Sequence, residues 1–318
     1  MSRLRKRKRD QRLQLTQDLC KTIYTANVNA DAIKRIEDLI AKGAYLNKFV
    51  DVCLSSVFVS VKPLEVALCW KGNGSNTSDE YQNKVVNIVK ILLENGADPN
   101  NSARRPFLIC CLYRPVDDYL TKYQFETDTV IKLVNMLLDA GADPNERDGY
   151  DGKTALFYAL NTFPEVVETL VRHGANPFIT DYFGYQIDDY NIGIFQENIS
   201  MYTENFQEAY RFLRNYMQRF VSEDDSTTSE DIFISYYNGA KQAEGLLIVF
   251  YLRMPPTIDM IDLVSSQLPT FSAGNGKYRL LVDGLVEEVT REYIHERFHQ
   301  EKVQSPQSAQ NTCSSLRF

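Results

Sequence analysis

The sequence "NGADPN" at residues 95–100 returns almost unchanged as "AGADPN" at residues 140–145. Two looser copies are "KGAYLN" at residues 42–47 and "HGANPF" at residues 173–178. A phrase that returns four times in one chain indicates a structural repeat. The glycine of each copy is typical of the left-handed position that ends a helix, where a side chain would cost about 1 kcal/mol.

An apolar stripe precedes each copy. Apolar residues stand seven, four and three positions before every glycine, a spacing that places them on one face of a helix. The positions are Ile36, Leu39, Ile40, Val89, Leu92, Leu93, Val134, Leu137, Leu138, Val167, Leu170 and Val171. A preceding helix is predicted to start near Pro63, Pro106 and Thr154, because proline suits the first helical turn and threonine can cap it. Each repeat is therefore predicted to be a pair of helices.

The last complete copy carries a family signature. Gly-x-Thr-Ala-Leu at residues 152–156 is followed by Gly-Ala-Asn-Pro, which begins 20 residues after the threonine. This combination resembles the ankyrin repeat, whose unit is about 33 residues long. The resemblance spans residues 14–220 and implies an all-α solenoid of about five helix pairs joined by β-hairpin-like connections. It also implies that the hairpin tips and the concave face bind a protein partner.

The repeats differ in length. The four glycines lie 53, 45 and 33 residues apart, so only the last interval has the length of an ankyrin unit. The excess is predicted to form two helix-loop insertions, at residues 71–84 and around residues 115–128. They should emerge side by side, because neighbouring repeats stack in register. The connection at residues 48–61 is also longer than usual.

The chain is predicted to divide into five segments. They are a basic disordered tail at 1–13, the ankyrin domain at 14–220, an acidic linker at 221–231, a smaller, mainly helical module at 232–302 and a disordered tail at 303–318. The last tail is poor in apolar residues, which favours disorder. Within the helical module, Asn275-Gly276 indicates a tight turn that could join two short strands.

Composition limits the functions that we expect. No apolar run exceeds the seven residues 246–252, whereas a membrane-spanning helix needs about 20. The six cysteines show no CxxC spacing, which favours reduced thiols and an intracellular setting, in the cytoplasm or nucleus. The chain has a net charge of −7 and residues 3–9 carry six positive charges, so the rest carries −13. An acidic body does not favour nucleic-acid binding.

The basic run near the N-terminus has two interpretations. Its core is Arg5, Lys6, Arg7, Lys8 and Arg9. Such a run is typical of a segment that binds a nuclear import receptor, or that contacts anionic lipid or RNA. The alternative is a tail that only increases solubility.

A zinc-protease pattern occurs late in the chain. His295, Glu296 and His299 fit H-E-x-x-H, in which two histidines bind zinc and the glutamate acts as base. Catalytic zinc needs a third protein ligand, and the one carboxylate that follows, Glu301, is too near in sequence to fold back. A helical wheel started at Val286 turns both histidines away from the apolar residues and towards water. We therefore expect a solvated charged face, no bound metal, no cofactor and no enzymatic activity, with a zinc hydrolase as the less favoured alternative.

The ankyrin resemblance implies a set of partner-binding residues. At the hairpin tips and inner-helix ends stand Trp70, Tyr113, Asp148, Tyr150, Asp151, Lys153, Tyr182, Phe183 and Tyr185. Aromatic residues dominate the hot spots of protein interfaces. Trp70 and Tyr113 have an alternative role, which is to pack beneath the two insertions.

These observations favour a non-enzymatic scaffold or adaptor that binds a protein partner and has no small-molecule substrate. A second hypothesis comes from the C-terminal region, where an acidic stretch precedes a small polar tail with Leu316 near its end. The acidic residues are Glu287, Glu288, Glu292, Glu296 and Glu301. This arrangement resembles the type IV secretion signals of ankyrin effectors from intracellular bacteria, which implies an effector that is delivered into a host cell and binds a host protein.

Overall fold

The fold is given by a computed structural model. It describes residues 2–26, 31–54, 57–69, 79–100, 105–113, 125–187, 189, 204–221, 227–253 and 257–304. The chain divides into two compact units. Unit 1 consists of Met1–Leu170 and Ile179–Arg214, and unit 2 consists of Val171–Phe178 and Asn215–Phe318.

Helices come in antiparallel pairs through the repeat region. The elements are α1 (Ser2–Tyr24), α2 (Ala32–Ala41), β1 (Val50–Leu54), β2 (Val57–Val61), α3 (Pro63–Cys69), α4 (Asp79–Glu94), α5 (Phe107–Leu112), α6 (Thr127–Asp139), α7 (Ala155–Thr162), a 3-10 turn (Pro164–Val166), α8 (Val167–Arg172) and α9 (Glu204–Met217). Four pairs lie within the described residues, α1 with α2 through α7 with α8. Most of the predicted fifth pair, residues 190–203, falls outside them.

The predicted helix ends are confirmed. Gly43, Gly96, Gly141 and Gly174 have φ between 88° and 93°. At Gly96, the backbone N–H donates to Leu93 O (3.0 Å), and the N–H of Ala97 donates to Leu92 O (2.9 Å). This pair of bonds is a Schellman motif, which satisfies carbonyls that a helix end would otherwise leave without partners.

The last asparagine of the repeated phrase ties each repeat to the next. Asn47 Nδ2 donates to Gly96 O (2.9 Å), and Asn47 Oδ1 accepts from Asp98 N (2.8 Å). Asn100 makes the same two bonds one repeat later, to Gly141 O (2.9 Å) and from Asp143 N (2.7 Å). The repeated sequence therefore specifies both the end of a helix and the asparagine hydrogen bonds that join one repeat to the next, which we call the ladder.

The predicted apolar stripe forms the core of the repeats. The residues seven and four positions before each glycine are all buried, with 0 to 6% of their surface exposed. Full burial of an aliphatic side chain stabilises a fold by about 1.5–3 kcal/mol. The start positions are also close to those predicted, since α3 begins at Pro63 and α7 directly follows Thr154. Thr154 is buried, however, and its side chain makes no capping hydrogen bond.

The all-α prediction is too narrow in unit 1. The long connection at residues 48–61 forms an antiparallel hairpin of β1 and β2, in which Val52 lies opposite Val59. Its buried face packs apolar residues that alternate along both strands, as expected for a half-buried sheet. The bulk of both predicted insertions, residues 70–78 and 114–124, lies outside the described residues.

The basic N-terminal segment differs from the prediction of a disordered tail. Helix α1 begins at Ser2 and continues to Tyr24. Residues 5–12 are exposed on every side of this helix, and the first fully buried residue along it is Thr16. Burial therefore begins in the second half of the helix, and before it Arg12 donates a hydrogen bond from Nε to Gly43 O (2.6 Å).

Unit 2 combines helices with a three-stranded sheet. Its further elements are a 3-10 turn (Gln218–Phe220), α10 (Ser229–Arg253), α11 (Ile258–Gln267), β3 (Ser272–Gly274), β4 (Lys277–Val282), β5 (Leu285–Thr290) and α12 (Arg291–Gln304). The strands are antiparallel in the order β3-β4-β5. The Asn275-Gly276 turn is confirmed, with φ of 50° and 71°, which is typical of tight hairpins. None of the described helices has the length and apolar character needed to cross a membrane.

The strands correct the helical wheel drawn from Val286. Leu285, Val286 and Val289 belong to β5, and the helix begins only at Arg291. The spacings of three and four residues between these apolar positions fit one face of a helix. They also fit a strand, because the apolar residues of β5 face both sides of a sheet that is covered on both sides. The core of unit 2 includes Phe271, Leu280, Ile294 and Phe298.

Two of the described cysteines are core residues. Cys20 and Cys111 are buried, whereas Cys53 is exposed and Cys110 is half-buried; all four are free thiols. Burial, with the nearby Glu65 carboxylate, raises the pKa of Cys20 to about 12. A thiol with such a pKa stays protonated and behaves as a small apolar group.

Candidate protein-binding surface

The carboxylate of Asp148 organises the hairpin tip before α7. Its Oδ1 accepts hydrogen bonds from the backbone N–H groups of Tyr150 (2.9 Å), Asp151 (2.7 Å) and Gly152 (3.0 Å). Its Oδ2 accepts a short hydrogen bond from the Tyr158 hydroxyl. Asp148 is fully buried. Its predicted role as a contact residue is therefore corrected, because a buried carboxylate shapes the tip and does not itself reach a partner.

The ionisation of Asp148 follows from these bonds. Burial on its own raises the pKa of this carboxyl, but the Tyr158 hydroxyl and the three N–H donors outweigh burial and lower the pKa below its ordinary value. Burial and the Asp148 carboxylate in turn raise the pKa of Tyr158. The pair is therefore a carboxylate and a neutral phenol at neutral pH.

The next tip repeats this design. Asp181 Oδ1 accepts hydrogen bonds from the N–H groups of Phe183 (2.9 Å) and Tyr185 (3.0 Å). The two tips are also joined, because Tyr182 N donates to Asp151 O (2.8 Å). The Tyr182 ring lies so close to Gly152 that a Cβ at this position would collide with it. Glycine is thus required at 152 for space as well as for its φ of 74°.

Large aromatic side chains project from these two tips. Tyr150, Tyr182, Phe183 and Tyr185 are 65, 60, 69 and 53% exposed. Exposed aromatics that stand side by side are unusual on a surface that has no partner. The side chains of these four predicted contact residues are therefore accessible to a partner.

Arg105 extends the aromatic set towards the preceding repeat. Its guanidinium lies 3.7 Å from the centre of the Tyr113 ring and 5.2 Å from that of Tyr150. Tyr113 is 37% exposed and packs edge-on against Tyr158. Arg105 was missed from the sequence, because no local pattern distinguishes an arginine that stacks between two rings. We call Arg105, Tyr113, Tyr150, Tyr182, Phe183 and Tyr185 the aromatic tip surface.

The remaining predicted contact residues lie at the edge of this surface or outside the described chain. Lys153 Nζ lies 3.5 Å from an Asp151 carboxylate oxygen, with both side chains partly exposed. An ion pair of this kind contributes little to stability. Trp70 falls outside the described residues.

The zinc-protease pattern lies in α12. His295, Glu296 and His299 are exposed, and the two imidazole rings are 6.1 Å apart. The buried residues of this helix are Ile294 and Phe298, which is why the histidines point to solvent. Within the described part of the chain, no group of three or more His, Cys, Asp or Glu residues is placed to hold a metal ion.

The basic run contributes exposed charges only. Its five charged side chains are all exposed on α1: Arg5, Lys6, Arg7, Lys8 and Arg9. Arg9 forms an ion pair with Asp10 at 3.9 Å. These charges are accessible to an anionic surface or to a receptor.

The family comparison agrees with the geometry of the repeats. Residues 81–181 match the model of ankyrin repeats in three copies. This stretch contains the helix stops at Gly96, Gly141 and Gly174, the ladder from Asn100 and the first aromatic tip, and it ends at Asp181, directly before the aromatic residues of the second tip. Residues 81–181 are therefore ankyrin repeats. No curated protein matches the chain at a significant level.

Proposed function

We propose that this protein is a non-enzymatic adaptor that binds a protein partner through the aromatic tip surface. Ankyrin repeats in general support protein–protein interaction, and residues 81–181 are such repeats. The observation that carries the proposal is the row of four exposed aromatic side chains on two adjacent tips. Tyrosine and phenylalanine bury a large area on binding at a small cost in conformational entropy.

The tips are held in place before any partner arrives. Asp148 and Asp181 together accept hydrogen bonds from five backbone N–H groups, and Tyr182 N is bonded to Asp151 O. A preformed surface loses little entropy on association. Arg105 stacks with Tyr113 and Tyr150, and arginine is among the residues enriched in hot spots. The inserted loops and the concave face are proposed to add specificity.

A capture experiment tests this proposal. The intact chain and a Tyr150→Ala/Tyr182→Ala/Phe183→Ala variant would be used as bait, and the bound proteins compared by quantitative mass spectrometry. Because the backbone N–H bonds of the tips do not use these side chains, we expect the variant to fold and to lose at least one partner. The control is Phe58→Ala, which removes an aromatic that is 82% exposed on β2, outside the aromatic tip surface. Identical partner sets for all three baits would refute the proposal.

The cellular setting is part of the same proposal. We place the adaptor inside cells, with the exposed basic run on α1 as a contact for a nuclear import receptor. A reporter fused to residues 1–13, compared with a version in which residues 6–9 are glutamine, measures import directly. Equal nuclear accumulation of the two reporters would remove this role.

The effector hypothesis uses the same binding surface and differs in how the protein reaches its partner. A translocation reporter fused to residues 289–318 separates the two cases. Transfer into host cells supports the effector, and retention in the producing bacterium supports an ordinary adaptor.

A further inference from the structure

Unit 2 contains a pocket of about 420 Å³ that no part of the proposed adaptor function uses. Its lining residues are Arg219, Phe220, Tyr236, Arg279, Val286, Glu287 and Glu288. They come from the 3-10 turn after α9, from α10 and from strands β4 and β5. The volume lies in the range of small-molecule sites, which combine apolar walls with a few placed polar groups.

Arg279 is the positively charged group with the best-defined position. Its guanidinium lies 4.1 Å from the centre of the Tyr236 ring, and its Nη1 donates to Thr270 O (3.1 Å). These contacts fix the planar group without neutralising it. Among the described residues, neither Arg279 nor Arg219 forms an ion pair within 4.0 Å, and Arg279 Nε has no hydrogen-bond partner. The two guanidinium groups therefore keep donors for an incoming anion.

A carboxylate lines the same pocket. Glu288 lies directly opposite Arg279 across β4 and β5, yet the ion pair it makes is with Lys277, at 3.7 Å. Glu287 precedes Glu288 in β5 and is half-buried, and its side chain points to the opposite face of the sheet, because neighbouring residues of a strand alternate between faces. Two guanidinium groups and the Glu288 carboxylate thus line one pocket without pairing with each other in the described structure. A site of this composition suits a ligand that carries both signs of charge.

Apolar groups complete the wall. Phe220 is 2% exposed and Val286 is 6% exposed, and the Tyr236 ring is stacked under Arg279. A ligand that entered would remove apolar surface from water against these side chains. The Glu288 carboxylate would repel a multiply charged phosphate, so the charge balance favours a carboxylate as the anionic part.

We propose that this pocket binds a zwitterion with an apolar side chain, either as a free α-amino acid or as a short peptide. The carboxylate would lie against Arg279 and Arg219, the ammonium group against Glu288, and the side chain against Phe220 and Val286. The guanidinium fork matches a carboxylate in two parallel hydrogen bonds, which gives the orientation.

Calorimetric titration of the intact chain tests the ligand class. The probes are L-phenylalanine, the dipeptide L-phenylalanyl-L-alanine, 3-phenylpropanoate, which lacks the ammonium group, and phenethylamine, which lacks the carboxylate. We expect at least one zwitterion to bind at least tenfold more tightly than both one-charge analogues. Tighter binding of the dipeptide assigns a peptide source, and tighter binding of the amino acid assigns a free metabolite. Absence of binding for both zwitterions, or equal binding of either analogue, overturns the proposal.

Three variants locate the site. Arg279→Met and Glu288→Gln should each weaken binding of the preferred zwitterion at least tenfold. Lys241→Met removes a positive charge from the exposed face of α10, outside the pocket, and should leave binding unchanged. If Arg279→Met loses its near-UV circular dichroism, the Arg219→Met variant replaces it, since Arg219 is exposed. Equal affinities for the control and the pocket variants overturn the proposal, whereas the partner captured by the aromatic tip surface is unaffected by either result.

Discussion

The side chain of Asn100 accepts a hydrogen bond from the backbone N–H of Asp143 over 2.7 Å, although the two residues belong to different repeats. The amide nitrogen of the same side chain donates to Gly141 O at 2.9 Å. One asparagine therefore satisfies two backbone groups of its neighbour, just where the neighbouring helix has ended. A hydrogen bond of this kind contributes about 0.5–1.5 kcal/mol to stability.

Asn100→Ala should lower the free energy of unfolding by about 1–3 kcal/mol, because two inter-repeat hydrogen bonds disappear at once. Urea denaturation followed by far-UV circular dichroism measures this change. The matched control is Asn95→Ala, since Asn95 is exposed and, among the described residues, its side chain bonds only to Ile91 O in its own helix. A loss for Asn95→Ala as large as that for Asn100→Ala would contradict the role of the ladder.

Two glycines with similar backbone angles should respond differently to alanine. Gly141 has a φ of 91° and open space around its missing Cβ, so Gly141→Ala should cost only the backbone strain of about 1 kcal/mol. Gly284 has a φ of 78°, and its missing Cβ would collide with the carbonyl of Arg172. Gly284→Ala should therefore cost at least twice as much, as measured by thermal unfolding. Equal costs would show that the close approach at Gly284 relaxes freely.

The Asp148 network predicts a pH dependence. Since the pKa of Asp148 is lower in the folded chain than its ordinary value, the network stabilises the fold fully above about pH 4 and loses this contribution as the pH falls through the folded pKa. Asp148→Asn should destabilise the chain by about 1.5–3 kcal/mol at pH 7, because charged hydrogen bonds are lost. The difference from the natural chain should shrink below about pH 4.

Asp151→Asn is the control for this experiment. Asp151 lies in the same tip, but its carboxylate is half-exposed and pairs only loosely with Lys153. Its replacement should change stability by less than about 1 kcal/mol at any pH. If both variants follow the same pH profile, the hydrogen bonds to Asp148 are not the cause.

Much of the repeat architecture could be predicted because it depends on residues that are close together in the sequence. Gly96 and Gly141 end helices through a backbone angle that few other residues adopt, and the apolar stripe before them has only one helical face to occupy. The turn at Asn275-Gly276 is likewise a property of two adjacent residues. Such features need no knowledge of distant parts of the chain.

Other features depend on partners that are far apart in sequence. Arg105 joins the aromatic tip surface only because the fold brings Tyr150 next to it, and Asp148 is buried by the same packing. The pocket of unit 2 combines Arg219 with Arg279, 60 positions later. The sequence predicts a helix where β5 stands, because the spacing of its apolar residues fits the period of a helix as well as that of a strand. The Asp283-Gly284 pair before β5 is a hairpin signal and indicates the strand.

The helix α12 offers a direct comparison between neighbours. Ile294 is fully buried, whereas His295 is exposed. Ile294→Ala should therefore lower the free energy of unfolding by about 2–5 kcal/mol through the cavity it leaves, and His295→Ala should change it by less than about 0.5 kcal/mol. Thermal unfolding of the two variants measures both values. A large loss for His295→Ala would mean that the imidazole has a structural partner.

The same helix gives a prediction about metal. His295, Glu296 and His299 are exposed, and catalytic zinc requires a third protein ligand, for which the described residues supply no suitable group. The purified chain, prepared without a histidine tag, should contain less than about 0.1 zinc per molecule by elemental analysis, since two exposed imidazoles hold the ion weakly. Incubation with EDTA should leave the midpoint of thermal unfolding unchanged. Stoichiometric zinc that disappears in a His295→Ala/His299→Ala variant would restore the hydrolase hypothesis.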